Sequence, residues 1–249
     1  MKPWIGVTMH VDNGTEEDLY PGHSLMYVER DYIQTLEEHG MHPILLPVLK
    51  DPSEVQAYLS KLDGLLMSGG GYLNLHKKLS PTSRLSETGN ERFAFEMTLL
   101  KEALKLDMPV LGVCRGMQML NEAFAGTLRN LTSADHHQEI KGLDGAVLMH
   151  EIVLEEQSKL ARIIGREVIG VNSRHRQVID QLGEGLKAVG HSVPEYYIEA
   201  IESEQHSWVF GTQFHPEQIY SREQRWSYLF QEMREAAIQY KSNVVVDVN

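Results

Sequence analysis

Cys114, the only cysteine among 249 residues, lies in the segment Gly-Val-Cys-Arg-Gly at 112–116. An apolar run at 108–113 leads into it, and a helix-like stretch at 117–123 follows. A strand, a sharp turn with glycines on both sides of the central residue, and a helix form the layout of a nucleophile elbow. The helix N-terminus behind the sulfur favours thiolate over thiol. The pattern predicts nucleophilic catalysis by Cys114, with a small buried side chain as the alternative.

A second candidate group lies near the end of the chain, in Phe-His-Pro-Glu at 214–217. In an extended segment, His215 and Glu217 would face the same side, because side chains two residues apart share a face of a strand. An imidazole oriented by a carboxylate can take the proton of a cysteine thiol. Surface charges or two metal ligands are the alternatives, but no third metal ligand has convincing spacing. We therefore expect a Cys114-His215-Glu217 triad without metal.

A glycine-rich segment, Ser-Gly-Gly-Gly at 68–71, follows a predicted strand. Acyl transfer through a thioester builds negative charge on a carbonyl oxygen, which backbone N–H groups stabilise. We expect one donor to be the amide of Arg115, directly after the nucleophile, and the other to be the amide of Gly70. A plain tight turn is the alternative. A phosphate site is disfavoured because the P-loop lysine is missing.

The composition narrows the class of protein. With 23 basic and 35 acidic residues the formal charge is −12. Such a surface repels nucleic acid and anionic membranes, so we expect neither as a partner. One cysteine leaves no internal disulfide framework, and the N-terminal residues show no signal-peptide core. No apolar run approaches the ~20 residues of a membrane span. These features predict a cytoplasmic protein.

The elements that must position these residues alternate between strand and helix in the first half of the chain. Apolar segments predict strands at 4–9, 43–46, 64–67 and 110–113, separated by helices at 24–38, 53–62 and 93–106, with Ser24 as the N-cap of the first helix and Gly40 just past its end. This order implies parallel strands with helices on both faces of the sheet. Ligands gather at the carboxyl ends of such strands, where the glycine segment and Cys114 both fall.

The second half of the chain predicts short strands that are partly antiparallel. They are expected at 146–154, 168–171, 186–190, 197–202 and 209–213, followed by a closing helix at 221–240. A polar loop is expected over 73–89, near the site. No linker or repeat divides the chain, so we expect one domain over 1–241 and a tail at 242–249. The tail could be a late strand, an oligomer contact or a frayed end.

These motifs together resemble the class I glutamine amidotransferase superfamily. Within it, three segments look like the γ-glutamyl-γ-aminobutyrate hydrolase branch, the C26-type peptidases: 92–96, 109–121 and 172–177. The resemblance covers roughly residues 5–235. It implies an α/β fold of three layers, α/β/α, which is the flavodoxin-like class I glutamine amidotransferase fold with a central, mostly parallel sheet and an added antiparallel portion.

The resemblance implies a free-standing hydrolase of γ-glutamyl amides that needs neither metal nor cofactor. Cys114 would attack the γ-carbonyl, the amine would leave, and water would release glutamate from the thioester. His215 would move the proton, and Glu217 would orient His215. The residues expected to hold or border the substrate are Gln118, Ser173, His175 and Arg176. Structural roles are the alternatives for Gln118 and His175. A homodimer is expected only because such enzymes often dimerise.

The chain departs from the branch pattern beside the expected leaving-group pocket. The aspartate that usually follows the glycines is replaced by Tyr72 or Leu73, and Arg176 stands where a second histidine is common. Both changes favour an amine other than γ-aminobutyrate. Three other functions stay open: a glutaminase that passes ammonia to a synthase partner, a γ-glutamyl-transferring or tailoring enzyme, and a catalytically silent binding protein. The presence of all three triad residues disfavours the last.

Overall fold

A nine-stranded mixed sheet lies at the centre of the fold. The computed structural model describes residues 2–15, 20–70, 84–88, 91–131, 136 and 145–246. The strands of this part of the chain are β1 (Trp4–Thr8), β2 (His10–Asp12), β3 (Leu25–Tyr27), β4 (His42–Leu46), β5 (Gly64–Met67), β6 (Val110–Val113), β7 (Thr127–Asn130), β8 (His150–Leu154), β9 (Val168–Val171), β10 (Gln177–Gln181), β11 (Leu186–Ser192), β12 (Ile198–Ser203) and β13 (Val209–Thr212). The helices are α1 (Arg30–Glu38), α2 (Val55–Leu59), α3 (Glu91–Lys105), α4 (Arg115–Ala123), α5 (Lys159–Ile164), α6 (Pro216–Ile219) and α7 (Trp226–Val246).

The strand order of the main sheet is β4-β1-β5-β6-β13-β12-β11-β8-β9. The first five strands of this order pair in parallel. The pairs from β13 through β9 are antiparallel. The predicted arrangement, a mostly parallel centre with an added antiparallel portion, is confirmed.

Alternate residues of the central strands face opposite layers. Leu65 and Met67 of β5 pack with side chains of α2, α3 and α4. Leu66, between them, packs with side chains of α1, α5 and α7. Because side chains alternate along a strand, both faces of the sheet are buried by helices. The three-layer α/β/α architecture follows from this alternation.

The helix predicted over 24–38 is shorter than expected. Residues 25–27 form β3, which pairs with β2, and α1 begins at Arg30. The Ser24 hydroxyl donates to the carbonyl oxygen of Asp12 at 3.0 Å, so it ties the two strands together and does not cap the helix. Local periodicity does not reveal this pairing, because the partner strand lies more than ten residues earlier. Gly40 follows the helix, as expected, with φ +77°.

Other boundaries also differ from the sequence expectations. The strand expected from 146 begins at His150, and α5, β7 and β10 were not predicted. The closing helix begins later and continues through 242–246 of the expected tail, while 247–249 lie outside the described residues. Of the expected loop over 73–89, the structure describes 84–88, with a short 3-10 helix at Leu85–Thr88. Tyr72 and Leu73 lie outside the described residues.

None of the described helices combines the length and the apolar character that crossing a bilayer requires.

Candidate active site

Cys114 occupies the turn between β6 and α4. Its backbone has φ +50° and ψ −101°, a conformation that a residue with a Cβ adopts only under strain. The Cys114 N–H donates to the carbonyl oxygen of Thr212 at 2.6 Å, which continues the pairing of β6 with β13. A Cβ at Gly116 would lie 2.2 Å from the carbonyl oxygen of Met67. The predicted strand, turn and helix are therefore present, and the turn packs directly on β5.

His215 and Glu217 meet, but not for the reason expected from the sequence. The imidazole Nδ1 lies 2.7 Å from Glu217 Oε1. The extended-segment premise was wrong, since β13 ends at Thr212 and Pro216 begins α6. His215 directly precedes the helix and Glu217 lies in its first turn. The His215 N–H donates to Asn172 Oδ1 at 2.8 Å, which fixes the backbone before the helix.

The three candidate triad side chains are buried together, with exposed fractions of 2% for Cys114, 4% for His215 and 2% for Glu217. Burial disfavours the imidazolium. The charge of Glu217 and the hydrogen bonds of His215 with Cys114 and Glu217 outweigh this effect of burial, and they raise the pKa of His215 to about 9. The ring thus contacts a thiol and a carboxylate at once. This geometry suits transfer of the thiol proton to an imidazole that the carboxylate steadies.

The glycine turn after β5 lies against this group. A Cβ at Gly69 would lie 3.0 Å from His215 Cε1 and 3.5 Å from Cys114 Cβ. The Gly69 N–H donates to the Tyr32 hydroxyl at 2.9 Å. Burial and the charge of Glu217 raise the pKa of Tyr32, so the hydroxyl stays protonated beside the site. Position 69 must therefore be glycine for this turn to approach the nucleophile so closely.

Arg92, which was given no role from the sequence, holds the glycine turn from its other side. Its guanidinium donates to the carbonyl oxygen of Gly69 at 3.1 Å. It also donates to the carbonyl oxygen of Ser68 at 3.3 Å and to the Ser68 hydroxyl at 2.9 Å. These bonds fix the backbone that would present an oxyanion donor.

Glu96 links Arg92 to the residue that follows the nucleophile. Arg92 Nε donates to Glu96 Oε1 at 2.6 Å, and Arg115 Nη1 donates to Glu96 Oε2. Although burial opposes ionisation, the Arg115 and Arg92 charges lower the pKa of Glu96. Arg92 Nη1 also contacts His10 Nδ1 at 2.5 Å. The Nε2 atom of His10 lies 2.7 Å from Glu29 Oε2. The only sequence signal for this network is a glutamate four residues after an arginine, with the arginine directly before the helix predicted over 93–106.

Gln118 reaches the triad through Gln213. Its Nε2 donates to Gln213 Oε1 and to the carbonyl oxygen of Gln177, both at 3.2 Å. Gln213 Nε2 lies 3.5 Å from Cys114 Sγ. Gln118 Oε1 is buried and has no hydrogen-bond partner among the described residues. Gln213 thus connects the side-chain amide of Gln118 to Cys114.

The other predicted substrate residues lie beside a group of histidines. The Ser173 hydroxyl donates to the carbonyl oxygen of His136 at 2.9 Å. His175 Nε2 lies 3.4 Å from Glu199 Oε1. Arg176 is half-buried, and its carbonyl oxygen accepts the N–H of Leu131 at 2.8 Å. Asn172, at the start of this segment, joins it to the backbone of His215.

A family model described as Peptidase C26 matches residues 3–217. The chain belongs to the peptidase C26 family. It is 33% identical over 219 residues to a Lactococcus lactis protein named as the putative glutamine amidotransferase-like protein YvdE, covering 86% of this chain and 90% of that one. It is 28% identical over 230 residues to the γ-glutamyl-γ-aminobutyrate hydrolase PuuD of Escherichia coli, covering 86% and 85%.

Among solved structures, this peptidase C26 family member is similar to a glutamine amidotransferase from Thermotoga maritima. The TM-score is 0.57, and the alignment covers 99% of this chain and 93% of that one. At 17% sequence identity the likeness is one of fold. The fold is that of the glutamine amidotransferases, as the resemblance implied.

Proposed function

We propose that the protein hydrolyses the γ-glutamyl amide bond of a small γ-glutamyl amine through a thioester on Cys114. The observation that carries the proposal is the buried contact of His215 with both Cys114 and Glu217. The family supports it, because a relative that covers most of the chain is named as a γ-glutamyl-γ-aminobutyrate hydrolase.

In the first half-reaction the Cys114 sulfur attacks the γ-carbonyl carbon as a thiolate, and its proton is already held by His215, whose raised pKa favours the imidazolium. The C–N bond then breaks, and His215 gives that proton to the departing amine. In the second half-reaction His215 takes a proton from water, which attacks the thioester and releases glutamate with regeneration of the thiol. Glu217 orients the ring and steadies the imidazolium in both halves.

The oxyanion of each tetrahedral intermediate is assigned to two backbone amides. Arg115 is the first residue of α4, where a backbone N–H has no partner within the helix. Gly70 is the next amide after Gly69, whose own N–H already donates to Tyr32. The Arg92 bonds to the glycine turn and the Arg115 bond to Glu96 support this assignment, because both segments are anchored to the same carboxylate.

Gln118 is proposed to bind the α-amino end of the γ-glutamyl group through its buried Oε1. A carbonyl oxygen suits an ammonium donor, and the hydrogen bonds that connect Gln118 through Gln213 to Cys114 support this assignment. Ser173, His175 and Arg176 stay predictions that rest on the resemblance.

The test is glutamate release from a panel of γ-glutamyl amides by the purified protein. We expect turnover of at least one γ-glutamyl amine, abolished by Cys114→Ala with the fold intact by circular dichroism. His215→Ala should be nearly as damaging, and Glu217→Ala milder, because its role is orientation. Wild-type turnover in Cys114→Ala would sink the mechanism.

The same panel tests the leaving group. Tyr72 or Leu73 replaces the usual acid, and Arg176 replaces a histidine. We therefore expect a γ-glutamyl amide of another amine, one with an anionic or bulky group, to be cleaved faster than γ-glutamyl-γ-aminobutyrate. If γ-glutamyl-γ-aminobutyrate is cleaved fastest, that assignment is wrong while hydrolysis itself stands. Glutamine belongs in the panel, because a relative is named as amidotransferase-like. We expect it to be a slower substrate.

A further inference from the structure

Four side chains form a second buried cluster of ionisable groups. Glu199 lies on β12, His150 begins β8, and His175 follows β9. Together with His136 these residues are referred to as the histidine cluster. Glu199 is fully buried, and the exposed fractions of His175 and His136 are 2% and 5%. The proposed hydrolysis uses no titration within this cluster.

The nitrogen atoms of the histidine cluster converge on one carboxylate oxygen without hydrogen-bonding to it. Glu199 Oε1 lies 3.4 Å from His175 Nε2, 3.7 Å from His150 Nε2 and 3.9 Å from His136 Nδ1. His136 Nδ1 also lies 3.1 Å from the Ser173 hydroxyl, and metal binding would require it to release this hydrogen bond. Both Glu199 oxygens and the two Nε2 atoms lack a hydrogen-bond partner among the described residues. Burying four polar atoms without hydrogen-bond partners is costly, and a bound ligand that satisfies them would remove this cost.

His175 shows which form the nitrogen atoms take. Its Nδ1 lies 3.2 Å from the carbonyl oxygen of Gln177, which can only accept, so Nδ1 carries a proton. A neutral His175 then points the lone pair of Nε2 at the Glu199 carboxylate. Two acceptors face each other, which a cation between them would resolve. A ring that donates one N–H to a backbone carbonyl and offers its other nitrogen is typical of histidines that bind metals.

The spacing of these atoms approaches that of a bound metal ion. In a tetrahedral site with bonds of ~2.0–2.1 Å, neighbouring ligand atoms lie about 3.3–3.4 Å apart. Ligand atoms of His136, His150 and Glu199 all lie within 4.8 Å of one another. A fourth nitrogen, on His175, is 3.4 Å from the carboxylate oxygen. Binding of an ion would contract the widest of these separations by up to about 1.4 Å.

We propose that His136, His150, His175 and Glu199 bind one divalent transition-metal ion of the zinc class. Three imidazole nitrogens and one carboxylate oxygen form a donor set that suits Zn²⁺. The proposal goes beyond hydrolysis by the triad and assigns His175 to the ion. It departs from the expectation of no metal. The sequence could not indicate this site, because four ligands on separate segments of the chain form no spacing motif.

The competing arrangement is a protonated histidine paired with Glu199. In that arrangement, although burial opposes ionisation, the charge of His175 lowers the pKa of Glu199 to about 2. A bound metal ion and a protonated histidine are therefore alternatives, and metal binding distinguishes them.

The test is Zn²⁺ binding by calorimetry to the chelator-treated protein. All variants carry Cys114→Ser, so that the catalytic thiolate cannot serve as a ligand. We expect one Zn²⁺ per chain and a higher melting temperature when it is bound. Glu199→Gln and His150→Ala should each weaken binding by more than the roughly 10- to 100-fold that loss of an outer-shell partner costs. Two variants are used so that the test can still be made if one of them fails to fold.

The matched control is His42→Ala. His42 lies on β4, at the edge of the sheet opposite to β9, and should leave Zn²⁺ affinity unchanged. Absence of binding, or equal affinity in all variants, would overturn the proposal and favour the protonated histidine. Because the readout is binding and not turnover, failure of the proposed hydrolysis would not alter the result.

Discussion

At the scale of single residues, His215 makes the stability of the protein depend on pH. Its pKa is raised to about 9 in the folded state, from an ordinary value of 6.5. Below pH 6.5 the imidazolium is present in both states and its stabilisation is complete. As pH rises towards about 9, the unfolded chain loses the proton first, so the free energy of unfolding falls.

Glu217→Gln should flatten this decline, because it removes the charge that favours the imidazolium. Urea unfolding of the wild type and the variant between about pH 6 and pH 9 measures the decline in the free energy of unfolding of each protein. A decline of equal size in both proteins would show that Glu217 does not set the protonation of His215.

Residue types and motifs predicted the candidate triad but not the groups that surround it. Cys114, His215 and Glu217 each lie in a short recognisable pattern. Arg92 and Glu96 act on the glycine turn across the fold, and their contacts depend on how α3 packs against α4. Such contacts between distant segments leave no trace in local spacing. The same holds for the histidine cluster.

At the scale of elements, the fit of the elbow against β5 sets the position of the nucleophile. A methyl group at Gly116 would meet the backbone of Met67 at 2.2 Å, and a backbone atom cannot rotate away. We expect Gly116→Ala to cost about 1–3 kcal/mol of unfolding free energy and to lower turnover. Gly170→Ala is the control, because its new methyl would meet only the flexible side chain of Leu148, whose end lies at 3.0 Å. Equal losses in both variants would contradict the close fit.

On the helix α3, Glu96 makes two buried ion pairs and Glu102 makes an exposed one, and these differ in their expected contribution to stability. Glu96→Gln leaves Arg92 and Arg115 without their buried anion, so we expect a loss of about 3–5 kcal/mol in urea unfolding. Glu102→Gln, on the same helix, breaks an exposed pair with Lys105 and should cost less than about 1 kcal/mol. A small loss in Glu96→Gln would show that the network contributes little to positioning the site.

Elements with strong apolar patterns were predicted within a few residues, and those defined by pairing were not. The strands β5 and β6 match the expected 64–67 and 110–113 because both are fully buried runs. The residues of β3 were assigned to a helix, and α6 was read as extended chain. In both cases the backbone conformation of a short segment is determined by contacts with segments that are distant in the sequence.

At the scale of the whole molecule, the site is assembled from distant parts of the chain. β13 inserts beside β6 and brings the residues before α6 to the nucleophile. The order of strands in the sheet cannot be read from their order along the chain, since β6 and β13 are separated by the whole antiparallel portion. The family resemblance implied a mostly parallel sheet with an added antiparallel portion, but no order of strands. Residue patterns alone predicted parallel strands in the first half and partly antiparallel strands in the second.

The most direct test of the central claim is labelling by a γ-glutamyl electrophile, such as a glutamine analogue with a reactive ketone in place of the amide. The chain has one cysteine, so intact-protein mass spectrometry assigns a thiol adduct without ambiguity. We predict one adduct per chain, formed faster than with a reagent that lacks the γ-glutamyl group, and absent in Cys114→Ala. An unmodified wild-type protein, or an equal adduct in Cys114→Ala, would contradict the account.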